Sequence, residues 1–153
     1  NKALRTEDYE AMLVLRFFIL DLCENLRQKY EEIKQHSHIV IFYRGLKLTS
    51  QEIYNLKQNV DETIATNGFL STSRSKGVAY AFAKKGTKRS NVETVMLEID
   101  VDMSKVTVIL ADIAQYSDYP EEQEILFDSG ASFTINSVLY DNIEKIWIVK
   151  LTA

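Results

Sequence analysis

From about Leu4 to Gln35 apolar residues recur at helical spacing. Leu13, Phe17 and Leu20 run with Glu24 in one row, and Met12, Leu15, Ile19, Leu22 and Leu26 run beside it. Thr6 is the candidate N-cap, with Asp8 in the first turn, and Arg27, Lys29 and Lys34 favour the C-terminal half. The length predicts two helices or one bent helix, laid down as an amphipathic packing layer.

After that the pattern turns to strands. Ile39 to Tyr43 is a buried strand by its β-branched and aromatic residues, stopped at Arg44-Gly45. Thr49-Ser50-Gln51-Glu52 is a capping box that opens a short helix from Gln51 to Gln58. Asn67-Gly68 marks a turn, Phe69 to Ser73 a short strand ending in hydroxyls, and Val78 to Lys84 a second short helix. Gly86 to Asn91 is a basic polar loop. Strands are predicted over Val92–Val101, Val106–Leu110, Ile125–Phe127, Phe133–Leu139 and Ile143–Leu151, with a polar loop from Ala111 to Pro120 and a hairpin turn at Asp128-Ser129-Gly130. In the last strand Ile146, Ile148 and Leu151 are assigned to the core, and Trp147 and Val149 to the other face. Helices first and then mostly strands is the order of an α+β domain.

Composition narrows the function classes. The 153 residues fit a single domain, 1–153, with a real core. A start at Asn1 rather than methionine is what a domain excised from a longer chain would show. A net charge of −4 argues against nucleic acid as a partner. No stretch has membrane-spanning length, so no membrane partner is expected. Cys23 alone rules out an internal disulfide and reads as a small buried hydrophobe; with no visible signal peptide it leans towards a reducing, cytoplasmic setting. His36 and His38 are the only histidines, too few for a histidine-rich metal centre.

Three stretches carry candidate chemistry. Around Tyr119-Pro120-Glu121-Glu122-Gln123-Glu124, the only proline precedes a crowd of carboxylates and then an apolar run. A proline suits a loop end or the first residue of a strand. If Glu122 and Glu124 sit in a strand, they point to one face. A repelling pair of carboxylates held there suits a cation or a developing positive charge; a solvated acidic turn is the plain alternative. Arg44 ends an apolar strand, where a guanidinium needs an anion, either a ligand phosphate or carboxylate or an internal Asp or Glu. Ser71-Thr72-Ser73 puts three hydroxyls at a strand end, able to donate to a carboxylate or a ligand, as hydroxyls in ordinary loops also do.

In this order the three stretches, with Phe42-Tyr43-Arg44-Gly45 leading and Gly68-Phe69 before the hydroxyls, resemble the mono-ADP-ribosyltransferase family that has the arginine, serine-threonine-serine and glutamate-x-glutamate signature, of the arginine-specific type. The resemblance covers residues from about 39 to 153. It implies two β-sheets packed face to face around an NAD cleft, flanked by the N-terminal helices. It implies transfer of ADP-ribose from NAD to an arginine of an acceptor protein, with NAD hydrolysis alongside, by a monomer that needs no metal. A chain that is mainly an NAD glycohydrolase, or a silent NAD- or protein-binding module, is the alternative. The family roles fall on Glu124 as the catalytic glutamate and Glu122 as the glutamate of arginine-modifying members. Arg44 falls on the phosphate-holding arginine and Gly45 on the residue whose backbone meets the carboxamide. Ser71 corresponds to the serine that holds the glutamate and the nicotinamide ribose, and Thr72 and Ser73 to the residues shaping that strand end. Phe82 falls on the ring against nicotinamide, with a core residue of its helix as the other reading. Tyr119 falls on the loop aromatic that meets the protein substrate, and Lys84 and Lys85 loosely on residues that reach a phosphate.

Overall fold

The computed structural model describes residues 1–33, 39–87, 89–105 and 108–153. His36, His38, Lys34, Lys88 and the first residues of the strand expected over Val106–Leu110 lie outside the described residues.

The N-terminal periodicity resolves into two helices, α1 (Lys2–Arg5) and α2 (Tyr9–Ile33). The break falls at Thr6 to Asp8, where Glu7 adopts a positive φ of 51°. Thr6 therefore closes α1 instead of opening a helix, and Asp8 caps α2 by accepting from the Ala11 N–H at 3.0 Å. Only part of the expected packing layer packs. Ile19, Leu22, Cys23 and Leu26 meet Phe69 and Ala111, whereas Leu13, Phe17 and Leu20 stand in solvent. A 25-residue helix is about 37 Å long, and only its C-terminal half lies over the short strand carrying Ala111. No described helix is long and apolar enough to cross a membrane. Cys23 is half-buried and its thiol donates to Asp128 at 3.2 Å; burial first, and then Asp128, push its pKa up to about 11.

The remaining elements are β1 (Ile39–Thr49), α3 (Ser50–Gln58), β2 (Thr63–Ala65), β3 (Leu70–Ser73), α4 (Lys76–Lys84), β4 (Val92–Asp102), β5 (Leu110–Asp112), β6 (Glu124–Phe127), β7 (Ser132–Asp141) and β8 (Ile146–Thr152). The capping box forms as expected: Thr49 accepts from the Glu52 N–H, and Glu52 accepts from the Thr49 N–H at 2.7 Å. The strands form one sheet in the order β2-β7-β8-β4-β1-β3-β6-β5, with β4 and β8 parallel and the other pairs antiparallel. Two separate sheets were expected. The ladder is continuous, yet the sheet closes over on itself. Phe127 of β6 packs edge-on against Phe133 of β7 at 5.4 Å and against Phe42 of β1 at 5.8 Å. In a flat sheet β6 and β7 would lie five strand spacings apart, roughly 24 Å. The contact requires the two ends of the sheet to face each other, with Phe42, Val95, Ile99, Ile125, Phe127, Phe133, Ile135 and Leu151 between them.

Several local expectations change with that closure. The Asp128-Ser129-Gly130 turn does not make a hairpin, because β6 pairs with β3 and β5, and β7 pairs with β2 and β8. It is the crossing from one half to the other, with Gly130 at φ 80°. The strand expected over Val106–Leu110 is β5, shifted to Leu110–Asp112 where it finds β6, so part of the expected Ala111–Pro120 loop is strand. The last strand starts at Ile146, not Ile143, which is exposed in a turn. Its faces alternate strictly: Trp147, Val149 and Leu151 meet the main core, and Ile146 and Ile148 pack with Ala79, Tyr80 and Tyr43.

Helix α4 lies directly on β1. A Cβ built on Gly45 would stand 1.9 Å from the Ala79 carbonyl oxygen and 2.4 Å from the Ala83 nitrogen. Those are backbone atoms of a helix, so relief requires moving α4 as a body. Gly45→Ala is expected to cost about 3 kcal/mol or more, the upper range for overpacking. A lowered urea midpoint would record it; an unchanged midpoint would mean that α4 does not press on β1 in solution.

Candidate functional site

The site sits where the sheet splits. β1 pairs with β4 along its whole length but with β3 at one position, Tyr43 opposite Ser73. Beyond that pair β1 and β3 part. Arg44 and Gly45 on one side and Ser71 and Thr72 on the other leave the shared ladder and border a cleft of about 290 Å³. Backbone groups released from a ladder need partners, so a split strand pair is a place where a ligand can bind main chain. Arg44 was expected at the end of its strand. It is instead in the middle of β1, and it is the pairing with β3 that stops there.

The guanidinium of Arg44 reaches across the split and donates to the Ser71 carbonyl oxygen. Among the described residues it has no carboxylate within salt-bridge distance. The internal ion pair that was the alternative reading is not formed among the described residues. Burial pushes the Arg44 pKa below its ordinary value, Arg5 at the end of α1 pushes the same way, and Glu124 opposes both. Arg5 was not singled out in the sequence because it belongs to α1, which lies against the Gly68 turn, with Asn1 donating to the Phe69 carbonyl at 2.8 Å.

The three hydroxyls have separate tasks. Ser71 Oγ donates to Glu124 Oε1 at 2.5 Å. Thr72 Oγ1 donates to the Ile125 carbonyl at 2.9 Å, on the buried face. Ser73 Oγ donates to the Glu122 carbonyl at 2.6 Å and accepts from the Ser75 N–H at 2.9 Å. The β3 end is therefore a jig for the acidic stretch: one hydroxyl on a carboxylate, two on the backbone that carries the carboxylates. Thr72 and Ser73 border the cleft, but their side chains are turned to the protein.

The two glutamates do not share a strand. Pro120, expected at a loop end or strand start, opens a 3₁₀ turn from Pro120 to Glu122, where a missing N–H costs nothing. Gln123 then takes a left-handed conformation, φ 49° and ψ 49°, and β6 begins at Glu124. The kink, not strand alternation, points both carboxylates into the cleft. Both are half-buried, whereas Glu121 is exposed. The solvated-turn reading therefore fits Glu121 alone.

Phe82 lines the cleft and is 45% exposed, which places its ring at the mouth and not in the core of its helix. Tyr119 stands 60% exposed just before the 3₁₀ turn and does not line the cleft. Lys84 does not face the cleft; it donates to the Glu144 carbonyl at 2.9 Å and ties α4 to the β7–β8 turn. Lys85 also lies outside it. Among the described residues no group of three His, Cys, Asp or Glu side chains is placed to hold a metal ion.

The family model described as ADP-ribosyltransferase exoenzyme matches residues 1–152. Compared with the curated proteins by sequence, the chain has no significant match. Among solved structures it is similar to Exoenzyme S of Pseudomonas aeruginosa, at 18% identity and a TM-score of 0.63, over 99% of this chain and 64% of that one. It is similar to the Vis toxin of Vibrio splendidus, at 20% identity and TM-score 0.57, over 76% and 48% of the two chains. The ADP-ribosyltransferase HopU1 of Pseudomonas syringae pv. tomato matches at 23% identity and TM-score 0.57, over 76% and 46%. At these identities the likeness shows the fold, and the chain spans about half the length of the last two.

Proposed function

The chain belongs to the ADP-ribosyltransferase exoenzyme family, and on that footing we propose that it transfers ADP-ribose from NAD to an arginine side chain of an acceptor protein. The observation that carries this is the pairing of a glutamate clamped by a serine with a second glutamate whose carboxylate has no partner among the described residues, in one cleft with Arg44. NAD is the co-substrate of the family. Related structures carry the matching ligands: Exoenzyme S is bound to carba-NAD, and Vis is in complex with agmatine, a guanidino compound.

A cleft of about 290 Å³ is at the small end of ligand pockets, so it takes the nicotinamide and its ribose while the rest of the dinucleotide lies outward. Phe82 stacks on the nicotinamide ring, and the Gly45 backbone, freed from β3, bonds the carboxamide. Arg44, assisted by Arg5, holds the phosphates; a guanidinium fork suits them better than an ammonium. The bond between C1′ and the nicotinamide nitrogen breaks with its electron pair going to the nitrogen, so nicotinamide leaves neutral. Positive charge builds on the ribose, as in glycoside cleavage. Glu124, oriented by Ser71, accepts from the ribose 2′-hydroxyl and stabilises that charge. A guanidinium nitrogen then attacks C1′ and gives its proton to Glu122. Free arginine is not deprotonated at neutral pH, so this proton leaves only as the new bond forms. Water taking the place of the guanidine gives NAD hydrolysis on the same face.

The test is incubation of the protein with NAD and agmatine, following nicotinamide release and ADP-ribosyl-agmatine by mass spectrometry. Both products are expected. Nicotinamide without modified agmatine would remove the arginine acceptor, and no nicotinamide at all would remove the transferase reading.

A further inference from the structure

A second depression adjoins the cleft across the rim formed by Val78, Phe82 and Glu122. It is a groove of about 310 Å³ between α4 and the Pro120–Glu122 turn, bordered by Phe82 and Lys85 on one wall and by Glu121 and Glu122 on the other. Lys85 lies over the Phe82 ring, Nζ 5.7 Å from its centroid. Among the described residues neither Lys85 nor either glutamate has an ion-pair partner, although they border one groove. Lys85 and Glu121 are exposed. The walls thus present opposite charges that the described residues leave unmatched.

We propose that this groove seats the acceptor polypeptide in extended form and that Lys85 selects an acidic residue next to the arginine being modified. This rests on the reading of Glu122 as the group that receives the guanidinium. In an extended segment successive side chains point to opposite sides. An arginine directed at Glu122 therefore turns its immediate neighbours to the opposite wall, where Lys85 stands, and returns the residues two away to the wall of Glu121. Acidic neighbours complement Lys85, and basic neighbours are repelled by it. The glutamate wall supplies the complementary preference for a basic residue two positions from the arginine.

The experiment compares two short peptides, one with aspartate on both sides of a single arginine and one with lysine on both sides, together with agmatine, which has no neighbours. The parent protein is expected to modify the aspartate-flanked peptide about fivefold faster, the scale that exposed charge pairs reach. K85E should reverse the preference, and K85M, which keeps the stem over Phe82, should erase it. In both variants agmatine modification and NAD hydrolysis should stay within about twofold of the parent, because agmatine reaches Glu122 without contacting Lys85. Equal rates on the two peptides, or a preference that K85E leaves unchanged while agmatine is still modified, overturns the groove and leaves the arginine reading standing. NAD hydrolysis with agmatine and both peptides unmodified overturns the two together.

Discussion

Glu124→Gln is expected to lower nicotinamide release and ADP-ribose transfer together, each by roughly 100- to 1000-fold, the cost of losing one charge interaction made in the transition state. The substitution is mild in every other respect. A glutamine side chain has the same length, and its carbonyl oxygen can still accept from Ser71 Oγ, which now stands 2.5 Å from Glu124 Oε1. The backbone of position 124 stays in β6, paired with Ser73 and donated to by the Ile113 N–H at 3.0 Å. What disappears is the negative charge beside the ribose at the moment it becomes cationic. Loss of both activities separates this residue from one that only receives the acceptor. Far-ultraviolet circular dichroism should match the parent. A variant that releases nicotinamide at the parent rate would show that Glu124 is a structural carboxylate held by Ser71, and the proposed chemistry would have no stabilising charge.

The site was legible in the sequence further than the fold that builds it. The arginine, the hydroxyl triplet and the acidic stretch were each recognisable by residue type and order, and the structure brings Arg44, Ser71, Glu122 and Glu124 to one cleft. The local reasons given for that meeting were different ones. Glu122 and Glu124 looked like strand neighbours two apart, and they converge instead because Gln123 turns left-handed. Nothing in a glutamine announces a positive φ, as a glycine or asparagine would. Arg44 looked like a strand terminus because Gly45 follows it. The glycine serves the close approach of α4, which is visible only once Ala79 and Ala83 are overhead. Closure of the sheet was hidden for a related reason. Periodicity reports which face of a strand is apolar, not which strand it will meet, so Phe127 against Phe133 could not be read from either segment. The same limit applies to α2, whose apolar rows continue past the surface available to cover them.

Glu122→Gln is the complementary prediction. Transfer to agmatine is expected to fall about 100-fold or more, within the range that a positioned base contributes, while nicotinamide release in the absence of acceptor stays within severalfold of the parent. The asymmetry follows from where the residue is held. Ser73 grips the backbone carbonyl of Glu122 at 2.6 Å, so the turn survives a change of side chain. The carboxylate itself has no hydrogen-bond donor or ion-pair partner among the described residues, in contrast to that of Glu124, which Ser71 fixes. A carboxylate left free at the rim of a cleft is positioned for something that arrives. A guanidinium needs that charge twice, first as a partner for its planar donors and then as the base that takes its proton. Water as nucleophile needs neither to the same degree, which is why hydrolysis should persist. Measuring both products in one reaction, for the parent and for the variant, makes the comparison internal. If Glu122→Gln modified agmatine at the parent rate, the arginine assignment would fall and the acceptor would have to be another nucleophile. If it lost nicotinamide release as completely as Glu124→Gln, both carboxylates would act on NAD and no residue in the cleft would remain to receive the acceptor.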